Sequence, residues 1–196
     1  YSPIFDQWIA DNVTAIWGNC PAPHFKDLWT QAYAAGFEPR IIFAARAGLF
    51  YTDMEGLGDL AIGIGLESWW HNTYNPTLCP GVGSTTPQTL FVDWATDSGQ
   101  PLNPNIGWGY ANVQILVDAI EAADSLVGDD IRAALLAGDF DTIAGPVDYD
   151  EADLNCPVPL HYFQWFEEGD SIVPEVVVSH HDFLATTETA FYITYP

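Results

Sequence analysis

Residues 16–50, IWGNCPAPHFKDLWTQAYAAGFEPRIIFAARAGLF, contain the pattern that decides the fold. The apolar run at residues 15–17 is typical of a short buried strand. Phe25 and Trp29 belong to a set of apolar residues with helical spacing, so a helix follows that strand. The apolar run at residues 41–45 predicts the next strand. Alternation of helices and strands indicates an α/β domain with a largely parallel sheet.

The same alternation extends along the rest of the chain. Residues 71–87 are rich in Asn, Pro, Thr and Gly, which predicts a loop and makes this stretch the expected crossing between two lobes. The clearest helical spacing of apolar residues in the chain predicts a helix around residues 110–120. Its apolar stripe consists of Tyr110, Val113, Leu116, Val117 and Ile120. The other predicted elements are helices within 4–13, 54–60, 90–95 and 131–135, and strands at 61–67, 160–166 and 171–178.

The charge balance argues against two classes of partner. The chain has 27 acidic and four basic residues, and its formal net charge is −23. Nucleic acids and anionic lipids bind to clustered cations. The four basic residues form no cluster in the sequence, so we expect no nucleic-acid partner. These residues are Lys26, Arg40, Arg46 and Arg132.

The three cysteines match no zinc-binding spacing. Cys79 and Cys156 each precede a proline in a predicted loop. Two arrangements are open at this point. Either Cys79 pairs with Cys156 and Cys20 is reduced, or all three are buried free thiols. We take the pairing forward as the prediction to test.

The sequence contains no recognisable catalytic or cofactor motif. It has no G-x-S-x-G elbow, no phosphate-binding loop and no H-E-x-x-H pair, so we expect neither a cofactor nor a metal. Aromatic residues make up 14% of the chain, and aromatic faces with a few polar groups form small-molecule pockets. Several aromatic residues at strand ends or in loops either line such a pocket or pack in the core: Phe50, Tyr51, Trp69, Trp70, Tyr74 and Trp108.

Arg46 directly follows the predicted strand at residues 41–45. Ligands of open α/β sheets bind beyond the carboxyl ends of the strands, and a guanidinium at that place can hold a carboxylate through two hydrogen bonds. The alternative is a salt bridge to Asp53 or Glu55, which are both close in sequence. The loop at residues 18–21 follows the preceding strand in the same way and is predicted to line the same rim.

Five stretches, in this order and spacing, resemble the leucine/isoleucine/valine-type family of periplasmic solute-binding proteins, which have the type I periplasmic binding fold. Their strongest markers are the Gly-Phe-x-Pro at residues 36–39, the Phe-Asp-Thr-x-x-Gly-Pro-Val at 140–147 and the Gln-Trp at 164–165. The resemblance covers roughly residues 5–178. The stretches are IWGNCPAPHFKDLWTQAYAAGFEPRIIFA, GLGDLAIGIGLESWWHNTYNP, GYANVQILVDAIEAADSL, IRAALLAGDFDTIAGPVDYDE and FQWFEEG.

The resemblance implies a fold class and an organisation. We expect a three-layer α/β/α lobe of the Rossmann-like type and part of a second lobe. Residues 1–86 would form the second, C-terminal lobe, residues 87–157 would return to the first lobe, and residues 158–196 would contain the hinge crossing, the final strands and the tail. Members of the family are nearly twice as long, so an N-terminal lobe of the same protein is an expected partner.

The resemblance also implies ligand-binding positions. The loop at residues 19–21 and Arg46 match second-lobe segments that meet the ligand, and Trp108 and Tyr110 match the stretch that re-enters the first lobe near the cleft. Together with the aromatic residues near strand ends, the predicted ligand-binding set is Asn19, Cys20, Pro21, Arg46, Phe50, Trp69, Trp70, Trp108 and Tyr110.

The predicted function is that of an extracytoplasmic receptor of an ABC importer, which binds a small amino acid or organic carboxylate between two lobes and catalyses nothing. Its partners would be that ligand and a membrane permease. Its location would be periplasmic or extracellular, either free there or membrane-anchored through an N-terminus absent from this sequence. Two alternatives are a cell-envelope assembly protein that reuses the lobe, and a small α/β hydrolase with Cys20 as nucleophile and His24 as base.

Overall fold

The structure is a computed structural model, and it describes residues 1–100, 103–149 and 160–195. The chain divides into two compact units. The first unit consists of Tyr1–Ser68, His161–Ser179 and Thr186–Pro196, and the second unit consists of Trp69–Leu160 and His180–Ala185.

The boundaries between the units differ from those expected. The chain first leaves the first unit after Ser68, whereas the sequence predicted a segment that runs to residue 86. The loop at 71–87 therefore lies wholly within the second unit. The chain returns to the first unit at His161, close to the expected start of the last segment at residue 158.

Helices and strands alternate as the sequence predicted, and the mixed α/β class is confirmed. Short 3₁₀ turns at Ala47–Leu49 and Gly58–Ala61 flank α3. In chain order the elements are α1 (Ser2–Ala10), β1 (Ala15–Asn19), α2 (Ala22–Ala34), β2 (Ile41–Ala45), α3 (Tyr51–Glu55), β3 (Gly65–Ser68), α4 (Pro87–Ser98), α5 (Asn105–Ala123), α6 (Gly128–Ala137), β4 (Asp139–Thr142), β5 (Gly145–Asp148), β6 (His161–Glu168) and β7 (Ser171–Val178).

The first unit is built on a five-stranded sheet in the order β1-β2-β3-β6-β7. The first three strands are parallel, and the hairpin of β6 and β7 pairs antiparallel to β3 and within itself. One sheet face is covered by the turn at Ala47–Leu49, because Gly48 packs against Leu66 and its carbonyl accepts a hydrogen bond from the Trp165 indole at 2.9 Å.

The other face of this sheet carries a row of aromatic rings. Trp17 stacks on Phe43 with ring centroids 3.8 Å apart, and Phe43 lies 5.6 Å from the Tyr162 ring. The Tyr162 ring lies over Gly65, where a side chain would collide with it. Trp17 is 76% exposed, and its neighbour on this face, Ile41, is also exposed. Parallel sheets are normally covered on both faces, so this face is unusually open.

The C-terminal tail is attached to the first unit through the buried side chain of Gln164. The Gln164 amide donates hydrogen bonds to the carbonyls of Gly63 and Phe191, each at 2.8 Å, and accepts one from the Phe191 N–H at 3.1 Å. Arg40 stacks over the Tyr192 ring at 4.1 Å. These contacts lie at the amino end of β2, opposite the edge where a ligand is expected.

The second unit packs α5 and α6 against the hairpin of β4 and β5. A second buried glutamine, Gln114 of α5, connects this helix to the hairpin. Its side-chain amide donates hydrogen bonds to the carbonyls of Pro80 and Asp141 and accepts one from the Ile143 N–H at 3.2 Å. The helix predicted to end at Gly99 does so, with that glycine in the left-handed conformation at φ 68°.

The apolar stripe predicted for α5 is not the face that the helix buries. Ile115 and Ala119 belong to the core cluster, together with Phe140 and Val147 of the hairpin. The stripe residues Val113, Leu116 and Val117 are 62%, 49% and 43% exposed. Helix α5 is apolar on several sides, and the face with small residues lets the hairpin approach more closely.

Candidate ligand-binding site

The carboxyl ends of β1, β2 and β3 meet at one edge of the sheet in the first unit. Asn19 at the end of β1 is paired with Ala45 at the end of β2. Neighbouring strands lie about 4.8 Å apart, so the loops that begin at Cys20 and Arg46 start side by side. The prediction that these two loops share a rim therefore agrees with the strand register.

Arg46 has an unusual backbone conformation at this edge. Its φ and ψ are 62° and −45°, a region that residues with a Cβ rarely adopt. Its N–H donates a hydrogen bond to Glu67 Oε1 at 2.8 Å. Among the described residues, its guanidinium forms no ion pair with any carboxylate. The alternative salt bridge to Asp53 or Glu55 is therefore not present. The exposed guanidinium is therefore available to an external anion.

The loop after β1 also favours an anion. Pro21 is the N-cap of α2, and no side chain caps this helix end. Because Pro21 and Pro23 lack an N–H, the first turn offers the N–H groups of Ala22 and His24. The N-terminal end of a helix carries roughly half a positive charge. This end and Arg46 thus give the sheet edge a local preference for a carboxylate in an otherwise acidic chain.

Cys20 does not have the setting of a catalytic nucleophile. Burial raises the pKa of the Cys20 thiol above 9.0, which lowers the thiolate fraction at neutral pH. No hydrogen bond joins Cys20 to His24 in the described part of the chain. The geometry therefore gives no support to the hydrolase alternative, and Cys20, Asn19 and Pro21 remain predicted rim residues.

The predicted aromatic residues fall into different environments. Phe50 is 39% exposed in the first unit, where it follows the turn after Arg46. Trp69, Trp108 and Tyr110 belong to the second unit. The Trp108 indole donates to the Trp69 carbonyl at 2.8 Å, and its ring packs beside the α5 core cluster.

Tyr110 and Trp70 have contacts within the second unit that give them structural roles. The Tyr110 hydroxyl accepts a hydrogen bond from the Val82 N–H at 3.0 Å. Trp70 is fully buried, its indole donates to the Ile143 carbonyl, and its ring lies against Gly107. Trp70 is therefore a core residue of the second unit, although the sequence had placed it in the predicted ligand-binding set.

The cysteine pairing receives no support. Cys79 is fully buried and its thiol is free, which is at odds with a bridge to Cys156. Cys156 itself lies outside the described residues. Burial, with a smaller effect of the Asp141 charge, raises the pKa of Cys79 to about 12, so this thiol is neutral at physiological pH.

Glu67 was missed by the sequence reasoning. It stands near the end of β3, paired across the sheet with Tyr162, and it contacts the backbone of Arg46. The available signal was a charged residue at the end of an apolar strand, the same signal that singled out Arg46.

Comparison with known proteins identifies the fold. No protein-family model and no curated protein sequence matches this chain. A solved leucine-binding protein, LivK from Thermotoga maritima, superposes with a TM-score of 0.71 at 19% identity, over 91% of this chain and 48% of that one. A leucine-, isoleucine-, valine-, threonine- and alanine-binding protein from Brucella ovis superposes with a TM-score of 0.68 at 13% identity, over 100% of this chain and 45% of that one.

A third solved structure has a different ligand. It is an ABC transporter solute-binding protein from R. palustris in complex with benzoate, with a TM-score of 0.62 at 13% identity, over 88% of this chain and 45% of that one. The expected type I periplasmic binding fold is confirmed by these superpositions. This chain spans about half the length of the solved proteins. Among the described residues, no helix has the length and apolarity needed to cross a membrane.

Proposed function

We propose that this chain is the ligand-binding part of an extracytoplasmic solute-binding receptor for a small amino acid or organic carboxylate. The observation that carries the proposal is the exposed guanidinium of Arg46 at the carboxyl edge of a parallel sheet, which forms no ion pair among the described residues. The chain has only four basic residues and 27 acidic ones, so internal partners for a guanidinium are plentiful. An exposed guanidinium beside an uncapped helix end suits an incoming carboxylate.

The receptor part of the proposal is supported by the fold. The solved proteins with this fold include leucine-binding proteins and a benzoate-bound solute-binding protein of an ABC transporter. We infer that this chain likewise holds its ligand without changing it and passes it to a membrane permease. Its location would then be periplasmic or extracellular.

The remaining half of such a receptor is the second inferred partner. In the first unit the sheet face with Trp17 and Ile41 is open, and in the second unit α5 exposes Val113, Leu116 and Val117. Apolar faces of this kind normally mark interfaces. Because the solved proteins are about twice as long, we propose that further lobe segments of the same polypeptide cover these faces.

One alternative uses the same faces differently. A cell-envelope assembly protein would bury them by self-association and would bind no small ligand. The two proposals therefore make opposite predictions for ligand binding, and a direct titration separates them.

The central test is calorimetric titration of the polypeptide that carries this sequence with leucine, other amino acids and simple carboxylates. We expect Arg46→Ala to weaken binding by about ten- to a hundredfold, because a charge-assisted hydrogen bond contributes roughly 1.5–3 kcal/mol. Arg46→Lys should restore only part of the affinity, since an ammonium cannot form the bidentate pair of hydrogen bonds that a guanidinium forms with a carboxylate.

Arg132→Ala is the matched control, because Arg132 is an exposed cation on α6 in the other unit. It should leave affinity unchanged. Equal affinity of wild type and Arg46→Ala would contradict the proposal. Unchanged thermal stability would then mark Arg46 as a surface residue, and a lowered melting temperature would mark it as structural.

A further inference from the structure

The first unit contains a small cavity at the amino ends of its parallel strands, at the opposite edge of the sheet from Arg46. Its volume is about 230 Å³, which is below the roughly 300–1,000 Å³ of typical small-molecule pockets. The cavity is therefore sized for one compact head group. Aromatic rings from two segments line it: Trp29 and Tyr33 come from α2, and Phe191 and Tyr195 come from the C-terminal tail.

Hydrogen bonds at their polar ends hold two of these rings in place. The buried Trp29 indole donates to the Leu60 carbonyl at 2.8 Å, and the Tyr195 hydroxyl donates to the Pro39 carbonyl at 2.7 Å. Tyr33 contacts both rings, with its ring centroid 6.2 Å from that of Trp29 and 6.0 Å from that of Tyr195. Because the polar atoms of Trp29 and Tyr195 are already satisfied, these side chains offer the cavity their aromatic parts.

The tail segment that carries Phe191 and Tyr195 is also held in place. The Ile193 N–H donates to the Arg40 carbonyl at 3.0 Å, directly before β2. Gly63 has a φ of 85°, and a Cβ at this position would lie 2.6 Å from the Ile193 side chain. The tail therefore packs against the backbone at Gly63, and the cavity is formed without a ligand. A preformed site binds without the cost of ordering its walls.

The cavity and its surroundings carry negative charge. Asp59 lines the cavity, and none of the described residues that line it is basic. Asp59 also borders an adjoining groove, together with Glu55, Glu167 and Asp170. Carboxylates around a cavity raise the local concentration of cations, and aromatic rings attract a cation at close range. The cavity therefore favours a positively charged group.

We propose that this cavity is a second binding site, which takes the quaternary ammonium head group of a small molecule. The methyl groups around such a nitrogen would pack against Tyr33, Phe191 and Tyr195, while the charge interacts with the rings and with Asp59. A quaternary ammonium has no N–H to leave unsatisfied among aromatic rings, whereas a primary ammonium would lose hydrogen bonds to water there. The inference goes beyond the proposed function and does not depend on it.

The test compares choline with 3,3-dimethyl-1-butanol, which has the same shape without the charge. Calorimetric titration of the wild-type polypeptide should show a preference for choline of about tenfold or more. Tyr33→Leu and Tyr195→Leu each keep an apolar lining but remove an aromatic ring. Each should lower the affinity for choline by about two- to thirtyfold and change the affinity for the neutral alcohol by less than about twofold. Tyr33→Phe keeps the ring and should preserve the preference.

Tyr192→Leu is the matched control, because Tyr192 is an exposed ring of the same tail that stacks with Arg40 and does not line the cavity. It should leave choline binding unchanged. A wild-type polypeptide that binds the alcohol as tightly as choline, or that does not bind choline, would overturn the inference whether or not the variants fold. Loss of choline binding in Arg46→Ala would place choline at the other edge of the sheet, with the same consequence. Tighter binding of N-acetyl-trimethyllysine amide than of choline would overturn the assignment to a small molecule.

Discussion

Two glycines of the same helix should respond in opposite ways to the same substitution. Gly107 and Gly109 both lie in α5, and neither has a positive φ. A Cβ at Gly107 would overlap the buried Trp70 indole, whereas a Cβ at Gly109 would meet nothing within 4 Å. Gly109→Ala should therefore raise the free energy of unfolding by about 0.5–1 kcal/mol, the usual gain from replacing glycine in a helix.

Gly107→Ala gains the same helix propensity but forces the Trp70 ring to move. Overpacking of a core costs roughly 1–3 kcal/mol. The movement also threatens the hydrogen bond from the Trp70 indole to the Ile143 carbonyl, now 3.0 Å long, which contributes about 1 kcal/mol. The net expected change is a loss of about 1–3 kcal/mol, so the two alanine variants should differ by about 2–4 kcal/mol.

Urea denaturation of wild type and both variants measures the difference. A further pair, Trp70→Leu with and without Gly107→Ala, tests the cause, because the smaller side chain leaves room for the Cβ. In that background Gly107→Ala should lose most of its destabilising effect. If Gly107→Ala stabilises the chain as much as Gly109→Ala does, the close packing of Trp70 on α5 is wrong, and Trp70 again becomes a candidate for the ligand site.

Two other predictions concern a buried thiol and an open face. Because the pKa of Cys79 is about 12 in the folded chain against an ordinary 9.0, the unfolded chain loses its proton first, and the free energy of unfolding should fall as pH rises from 9.0 towards 12. Cys79→Ala should remove that part of the slope, and rapid iodoacetamide labelling of Cys79 at pH 9 would contradict its burial. The 196-residue chain alone should bind the dye ANS, and Trp17→Ser should reduce binding at unchanged far-ultraviolet circular dichroism; a wild-type chain that binds no dye would show that this face needs no partner.

Some features of the site could be predicted because they depend on neighbours in sequence. The apolar run of β2 predicts a strand, and a charged residue directly after it, Arg46, must lie near the strand's carboxyl end. The parallel order then places the loop after β1 beside it. Each inference needs only the local conformation and a general rule about parallel sheets.

Other features could not be predicted because they depend on pairing between distant segments. Trp69 and Trp70 are adjacent in sequence, yet only Trp70 is fully buried, and this follows from the position of α5 and the β4–β5 hairpin. The role of Glu67 depends on the register of β3 against β2, which brings its carboxylate to the Arg46 N–H. The sequence predicted the strand that contains Glu67 and the loop position of Trp70, but it contained no signal for these contacts.

The sequence by itself determined the α/β class, the approximate position of most helices and strands, and the position of Arg46 at the end of a strand. Periodicity encodes these features, because each depends on backbone preference and on the spacing of apolar residues within one element. Only the tertiary structure decided which side of α5 is buried, since apolar side chains lie on several sides of that helix and the β4–β5 hairpin packs against the side with Ile115 and Ala119. It also decided that the Glu67 carboxylate accepts the Arg46 N–H, because strand register is fixed by the whole sheet and not by either strand alone.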